Sequence, residues 1–231
     1  MEKNSDYGSM GRRIVAIIPA FNEAERISPV IQKTINHLPV LVVDDGSADH
    51  TSAVAIQSGA QLIKQDENLG KGKALQAGFQ WAIDQDYSAM VTLDADGQHD
   101  PDEIPLFIKA FETTNADLII GMRDFSEMPI IRRLANWSGK VTFSWALGQD
   151  IPDNQSGFRL LSSRMASAML ASCESGFELE VEMIVICIQS GFTLDWVPIR
   201  TIYTDAGSHI APLQHTRNFL RMIQKTRATR S

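Results

Sequence analysis

Cysteine is nearly missing from this chain of 231 residues, which has only Cys173 and Cys187. Both lie in apolar, helix-like surroundings, and their spacing does not suit a zinc knuckle. They read as reduced core residues of a cytoplasmic protein. No apolar run approaches the roughly 18–20 residues that span a bilayer. The opening MEKNSDYGSMGRR has no apolar segment of the kind a secretory signal needs, so residues 1–12 read as a disordered lead-in. Internal repeats and low-complexity segments are absent too. Basic charge is in short supply: the net charge is −7, so nucleic acid is excluded as a partner for the surface as a whole. The basic residues that exist are unevenly placed. Residues 212–231 hold Arg217, Arg221, Lys225, Arg227 and Arg230 and no acid, which leaves −12 on the remainder. A basic tail on an acidic body suits a local anionic partner such as a lipid headgroup.

Hydrophobic residues make up 44% and charged residues 21%, enough apolar material for a real core in one domain of this length. Short, dense, β-branched runs mark strands buried on both faces: IVAIIPA, LPVLVVDD, SAMVTLDAD and ADLIIGMR, with AQLIKQ as a further strand. Between them lie helical stretches: 22–37, 51–58 after Ser47-Ala48-Asp49, KGKALQAGFQWAIDQ, and a helix opened by Pro101 that runs to about Thr113. Strand and helix alternate at short intervals, so the expectation is an α/β chain with a Rossmann-like, mostly parallel sheet flanked by helices in a single domain. Residues 13–123 form a nucleotide-binding half and 124–212 an acceptor half, followed by a basic helix or tail over 213–231. In the second half, 130–147, 162–173 and Glu178–Gln189 read as helices, 150–159 as a loop, FTLDWVPI as a strand and 201–213 as a polar loop.

In such sheets ligands sit beyond the carboxyl ends of the strands. That rule gathers 19–23, 44–49 and 94–99, the most chemically loaded segments, into one crevice. In VTLDADGQHD, Asp94 and Asp96 stand one residue apart at a strand end and point the same way on a pleated chain. Two carboxylates so placed repel, and a divalent cation relieves the repulsion. Hard oxygen ligands suit Mg2+ or Mn2+, with Gln98 adding a neutral oxygen at the next alternating position. In LVVDDGSAD, Asp45 can accept from a base N–H or a ribose hydroxyl, or simply order a turn. In IIPAFNE, Asn22 and Glu23 can face a nucleotide or form a plain strand-to-helix turn. NLGKGKA is rich in Gly and Lys but lacks G-x-x-x-x-G-K-[ST], and G-x-G-x-x-G is missing as well, which disfavours Walker-type and dinucleotide readings.

Taken in order, IIPAFNE, VVDDGSAD, NLGKGKALQAGF, LDADGQHDP, GMR, DNQSGFR and GFELEVEM resemble glycosyltransferase family 2 over about residues 14–212, and within it the polyprenyl- and dolichyl-phosphate sugar transferases. The resemblance implies a GT-A fold and an inverting, metal-dependent transfer from a UDP- or GDP-sugar to a polyprenyl phosphate. It implies a nucleotide pocket of Pro19, Ala20, Asn22, Glu23, Asp45, Lys73, Asp94 and Ala95, and Asp94, Asp96 and Gln98 as ligands of Mg2+ or Mn2+. Arg123 and Arg133 would hold phosphate charge during catalysis, and Arg159, Ser208 and His209 would meet acceptor or diphosphate. The alternative for each arginine is a surface ion pair. Asp153 lies in the loop where many relatives carry a general base. A base matters for a hydroxyl acceptor and much less for a phosphate, which is already an anion.

The tail places Phe219, Leu220, Met222 and Ile223 among its basic residues, as basic amphipathic helices on membranes do and as a docked terminal helix also does. It is the candidate for peripheral contact with the inner face of a membrane. Two other readings remain open: the same donor chemistry with a saccharide or small-molecule hydroxyl as acceptor, and a non-catalytic nucleotide-sugar binding protein. A nucleotidyltransferase would want glycines soon after the first strand, and PAFNEAER has none.

Overall fold

The computed structural model describes residues 12–123, 144–145, 147–172 and 178–200. The helix expected over 130–147 falls almost wholly outside these residues. So do Arg133, Ser208, His209 and the basic tail.

Seven strands form one sheet: β1 (Ile14–Ala20), β2 (Val40–Asp44), β3 (Gln61–Lys64), β4 (Ala89–Thr92), β5 (Leu118–Arg123), β6 (Arg159–Ser162) and β7 (Leu194–Ile199). Their order is β3-β2-β1-β4-β6-β5-β7. The sheet is parallel except at β6, which runs antiparallel to β4 on one side and β5 on the other. The helices are α1 (Ile27–Thr34), α2 (Thr51–Gln57), α3 (Lys71–Asp84), α4 (Ile104–Thr114), α5 (Ser163–Met169) and α6 (Glu178–Gln189), with a 3-10 turn over Pro101–Glu103 ahead of α4.

The period-2 alternation of the buried strands sorts the core into two layers. Val15, Ile17, Leu41, Val43, Met90 and Leu161 face one way and pack with α3, α5 and α6. Ala16, Ile18, Val40, Val42, Val91 and Leu160 face the other and pack with α1, α2 and α4. All seven residues of β1 and all four of β4 are buried. A strand covered on both faces needs apolar side chains throughout, which explains the continuous runs in the sequence.

Two elements differ from the sequence reading. The strand β6 falls where a loop was expected to give way to a helix. RLLS is four residues long, too short for a periodic signal, and it qualifies as a strand only because β4 and β5 flank it. The first helix begins at Ile27 rather than near Asn22, because Asn22 has φ +56, a left-handed conformation that cannot open a helix.

From β1 the chain winds out to β2 and β3, then returns to place β4 on the other side of β1. This reversal leaves a crevice beyond the carboxyl ends of β1 and β4.

Candidate active site

The crevice is a cleft of about 350 Å³, within the range of small-molecule sites. It is lined by the end of β1 and the residues just after it (Pro19, Ala20, Phe21 and Glu23), by Asp45, Asn68 and Gly70, by Lys71 and Ala74 of α3, and by Asp94, Ala95 and Asp96 after β4. Six of the eight residues expected to hold the nucleotide line it. Asn22 and Lys73 do not, and each has a local task. The Asn22 side-chain oxygen accepts from the Ala48 N–H at 2.9 Å, and its own N–H donates to Ser47 Oγ. Lys73 Nζ donates to Gln76 Oε1 at 2.8 Å.

The acids at the end of β2 divide their work. Asp44 is fully buried and accepts from the Ser47 N–H and the Ser52 hydroxyl, ordering the turn. Asp45 accepts from the N–H groups of Leu69 and Gly70, each at 2.9 Å, so it holds the loop before α3 against the cleft. Gly46 makes this approach possible. It has φ +74, and a Cβ there would lie 2.5 Å from the Glu67 carbonyl carbon.

At the end of β4, Asp94 and Asp96 both face the cleft. Asp96 is held by Gln98, whose backbone N–H donates to Oδ1 at 2.9 Å and whose side-chain amide donates to Oδ2 at 2.8 Å. In this arrangement the Gln98 amide nitrogen, rather than its oxygen, faces Asp96. Asp94 receives Lys71 Nζ at 2.6 Å on Oδ1. Burial alone would push the Asp94 carboxyl up, but the Lys71 ammonium, with His99 and Arg123 nearby, holds it down at about 2. The same contacts lift Lys71 above the usual lysine range against the effect of burial. Buried His99 is pushed below its ordinary value, and its Nδ1 accepts from the Asp94 N–H at 3.2 Å. Among the described residues no cluster of three or more His, Cys, Asp or Glu side chains is arranged to hold a metal. A hard cation on the Asp94–Asp96 pair would take its remaining ligands from water and diphosphate oxygens.

The second half of the chain packs beside Asp94 and Lys71. Asp153 is buried, and Arg123 grips it with two nitrogens, Nε to Oδ2 at 2.7 Å and Nη2 to Oδ1 at 2.9 Å. Its Oδ1 also accepts from the N–H groups of Gln155 and Ser156. Burial would raise this carboxyl, but the Arg123 fork and the backbone donors hold it below its ordinary value. Arg159 is fully buried. Its Nε donates to the Ser156 carbonyl at 2.7 Å, Nη1 to the Glu180 carbonyl at 2.5 Å and Nη2 to the Asn154 carbonyl at 3.3 Å. The structure thus corrects the expected phosphate contact: Arg159 spends its donors on backbone carbonyls and ties the 153–157 loop to α6.

Lys71 and Phe21 were not singled out in the sequence, whereas Glu180 belongs to the GFELEVEM motif. Lys71 is the cleft lysine; Lys73, two residues further along α3, falls on another face of the helix. Glu180 is buried and takes Lys71 Nζ at 2.7 Å. Phe21, 44% exposed, stands at the cleft mouth. The helical periodicity of KGKALQAGF carries the first signal; the other two depend on tertiary placement.

The family model for glycosyl transferase family 2 matches residues 15–170, the stretch that holds β1, β4 and the carboxylate pair. The chain belongs to this family. This glycosyltransferase is 30% identical over 210 residues to an undecaprenyl-phosphate mannosyltransferase of Micrococcus luteus, covering 84% of this chain and 86% of that one. It is also 30% identical over 213 residues to a polyprenol monophosphomannose synthase of Mycolicibacterium smegmatis, covering 85% and 80%. Among solved structures, glucosyl-3-phosphoglycerate synthase from Mycobacterium tuberculosis, in complex with Mn2+, uridine diphosphate and glucosyl-3-phosphoglycerate, superposes with a TM-score of 0.69 at 20% identity, covering 95% of this chain and 80% of that one. The fold is GT-A, in a single domain. No helix among the described residues is long and apolar enough to cross a membrane.

Proposed function

We propose that this glycosyltransferase moves a sugar, with inversion, from a UDP- or GDP-sugar to a polyprenyl phosphate. The observation that carries the acceptor assignment is the state of Asp153. Both its oxygens are engaged by Arg123, and its carboxyl lies below the ordinary range. A carboxylate held in this way is a poor proton acceptor. An acceptor phosphate needs no base, because it is already an anion near neutral pH. The relatives from Micrococcus and Mycolicibacterium support the same acceptor class through their names.

The cleft wall from Pro19 to Glu23 and the Asp45 loop receive the nucleoside, with Phe21 covering the base. Asp94 and Asp96 would hold Mg2+ or Mn2+, with Gln98 keeping Asp96 in place. Such a cation supplies charge neutralisation for the departing diphosphate, so that no proton need reach the leaving group. Lys71 adds positive charge at the same end of the cleft. Arg123, oriented by Asp153, is assigned to phosphate oxygens, which a guanidinium suits. Arg133, Ser208 and His209 are assigned to the acceptor and diphosphate from the sequence pattern alone. The basic segment 213–231 is assigned to anionic lipid at the inner face of the membrane on the same basis.

Comparing polyprenyl phosphate with the matching polyprenol as acceptors tests this reading. Transfer to the phosphate alone is expected; equal transfer to the alcohol would overturn the acceptor assignment.

A further inference from the structure

Lys71 joins two carboxylates from opposite halves of the molecule. Its Nζ lies 2.6 Å from Asp94 Oδ1 at the end of β4 and 2.7 Å from Glu180 Oε1 on α6. The Lys71 side chain is 18% exposed and that of Glu180 only 3%. The second half of the chain meets the pair closely. A Cβ on Gly157 would stand 2.8 Å from Asp94 Oδ2 and 3.1 Å from Lys71 Nζ, so the backbone of the 153–157 loop rests directly on them. The same loop gives its Asn154 and Ser156 carbonyls to Arg159, which also binds the Glu180 carbonyl. Asp94, Lys71, Glu180, Arg159 and the loop that carries Asp153 therefore form one connected chain of contacts.

An ammonium ion on a carboxylate oxygen competes with any other cation for that oxygen. From this arrangement we propose that Lys71 is a resident countercation of the donor site, which leaves Asp94 for Glu180 when a divalent cation takes the carboxylate, and so links donor-site occupancy to α6 and the acceptor loop. The inference rests on the reading of Asp94 as a metal ligand. Glu180, already at 2.7 Å, is the anion that keeps the buried ammonium compensated once Asp94 is lost; an uncompensated buried charge is costly. Removal of Lys71 should therefore favour the divalent ion, and removal of the Glu180 charge should disfavour it, but only while Lys71 is present. A role limited to the general electrostatic field predicts something else: a Glu180 substitution would weaken cation binding to the same degree with or without Lys71.

The test is a double-mutant cycle on Mn2+ affinity, measured by calorimetry on the full chain without nucleotide, with folding checked by thermal unfolding. Lys71→Met is expected to tighten Mn2+ binding about tenfold, the scale of removing one close positive charge. Glu180→Gln is expected to weaken it about tenfold in the wild-type background and to change it less than about twofold when combined with Lys71→Met. Equal effects of Glu180→Gln in both backgrounds, or unchanged affinity in Lys71→Met, would overturn the proposal. If Lys71→Met does not fold, Lys71→Arg carries the test. A guanidinium fork holds the two carboxylates more firmly, so weaker Mn2+ binding supports the proposal and unchanged binding overturns it. Asp94→Asn separates the two levels: loss of Mn2+ binding there, alongside an unchanged Lys71→Met, removes the countercation role and leaves the metal site standing. Failure of the wild-type protein to bind Mn2+ both alone and with UDP present removes both.

Discussion

Arg123 and Asp153 hold each other through two nitrogen–oxygen contacts, at 2.7 and 2.9 Å. Under the proposed function the pair makes Asp153 the support of a phosphate-binding arginine rather than a general base. Its consequence is a pH profile. Asp153 is depressed below its ordinary value, so it stays ionised through the neutral range and has no titration there to display. The acid limb of kcat/KM should instead follow the second ionisation of the acceptor phosphate, near about 6 for phosphate monoesters. Asp153→Asn should lower the rate and leave the position of that limb unchanged. A limb that moves or disappears in Asp153→Asn would restore the general base. The same depression gives a sign for stability. The contribution of the pair is fully present above the unfolded carboxyl value, near about 4, and is lost as pH falls through the lower folded value. Denaturant midpoints of wild type and Asp153→Asn should therefore converge in acid.

Arg159 leads to a different expectation. It is buried on three backbone carbonyls, and burial pulls its pKa down to about 10, still well above neutrality. Arg159→Met should cost on the order of 3 kcal/mol of stability by leaving those carbonyls unpaired in the interior. Urea unfolding measures the loss. A stable variant with a raised acceptor KM would return Arg159 to the acceptor site.

The difference between these two arginines shows where sequence stops being informative. GMR and SGFR each present an arginine after a strand-like or loop-like run, and nothing local says which one faces the cleft. Arg159 is turned inward because it begins β6, a four-residue strand that forms only between β4 and β5. By contrast the cleft itself was legible. β1, β2 and β4 declare themselves by unbroken apolar runs, and each ends in polar residues, so Pro19, Asp45, Asp94 and Asp96 come together by topology alone. Lys71 was missed in favour of Lys73 because both sit in one Gly-rich stretch, and only the helix phase set by Gly70, with φ +94 at its start, decides which enters the cleft.

Gly46 should tolerate no side chain. With φ +74 and the Glu67 backbone 2.5 Å from where a Cβ would go, Gly46→Ala combines backbone strain with a clash that only loop movement relieves. A stability loss of about 1–3 kcal/mol is expected, together with weaker donor binding because the loop held by Asp45 shifts. Wild-type Tm and donor affinity in this variant would contradict the account of the loop.

Phe21 is the exposed aromatic at the cleft mouth. Base–aromatic stacking is worth about 1–3 kcal/mol, so Phe21→Ala should raise the donor KM about tenfold with little change in kcat, and Phe21→Tyr should restore it. An unchanged KM would move the base elsewhere in the cleft.

The most direct test of the central claim is transfer from labelled UDP-glucose, UDP-N-acetylglucosamine and GDP-mannose to polyprenyl phosphate in detergent micelles, with Mg2+ or Mn2+, beside a chelated control and Asp96→Ala. The account predicts label in the lipid fraction from one of these donors, only with the cation present, and none from Asp96→Ala. Full transfer in excess chelator, or wild-type transfer by Asp96→Ala, would contradict it.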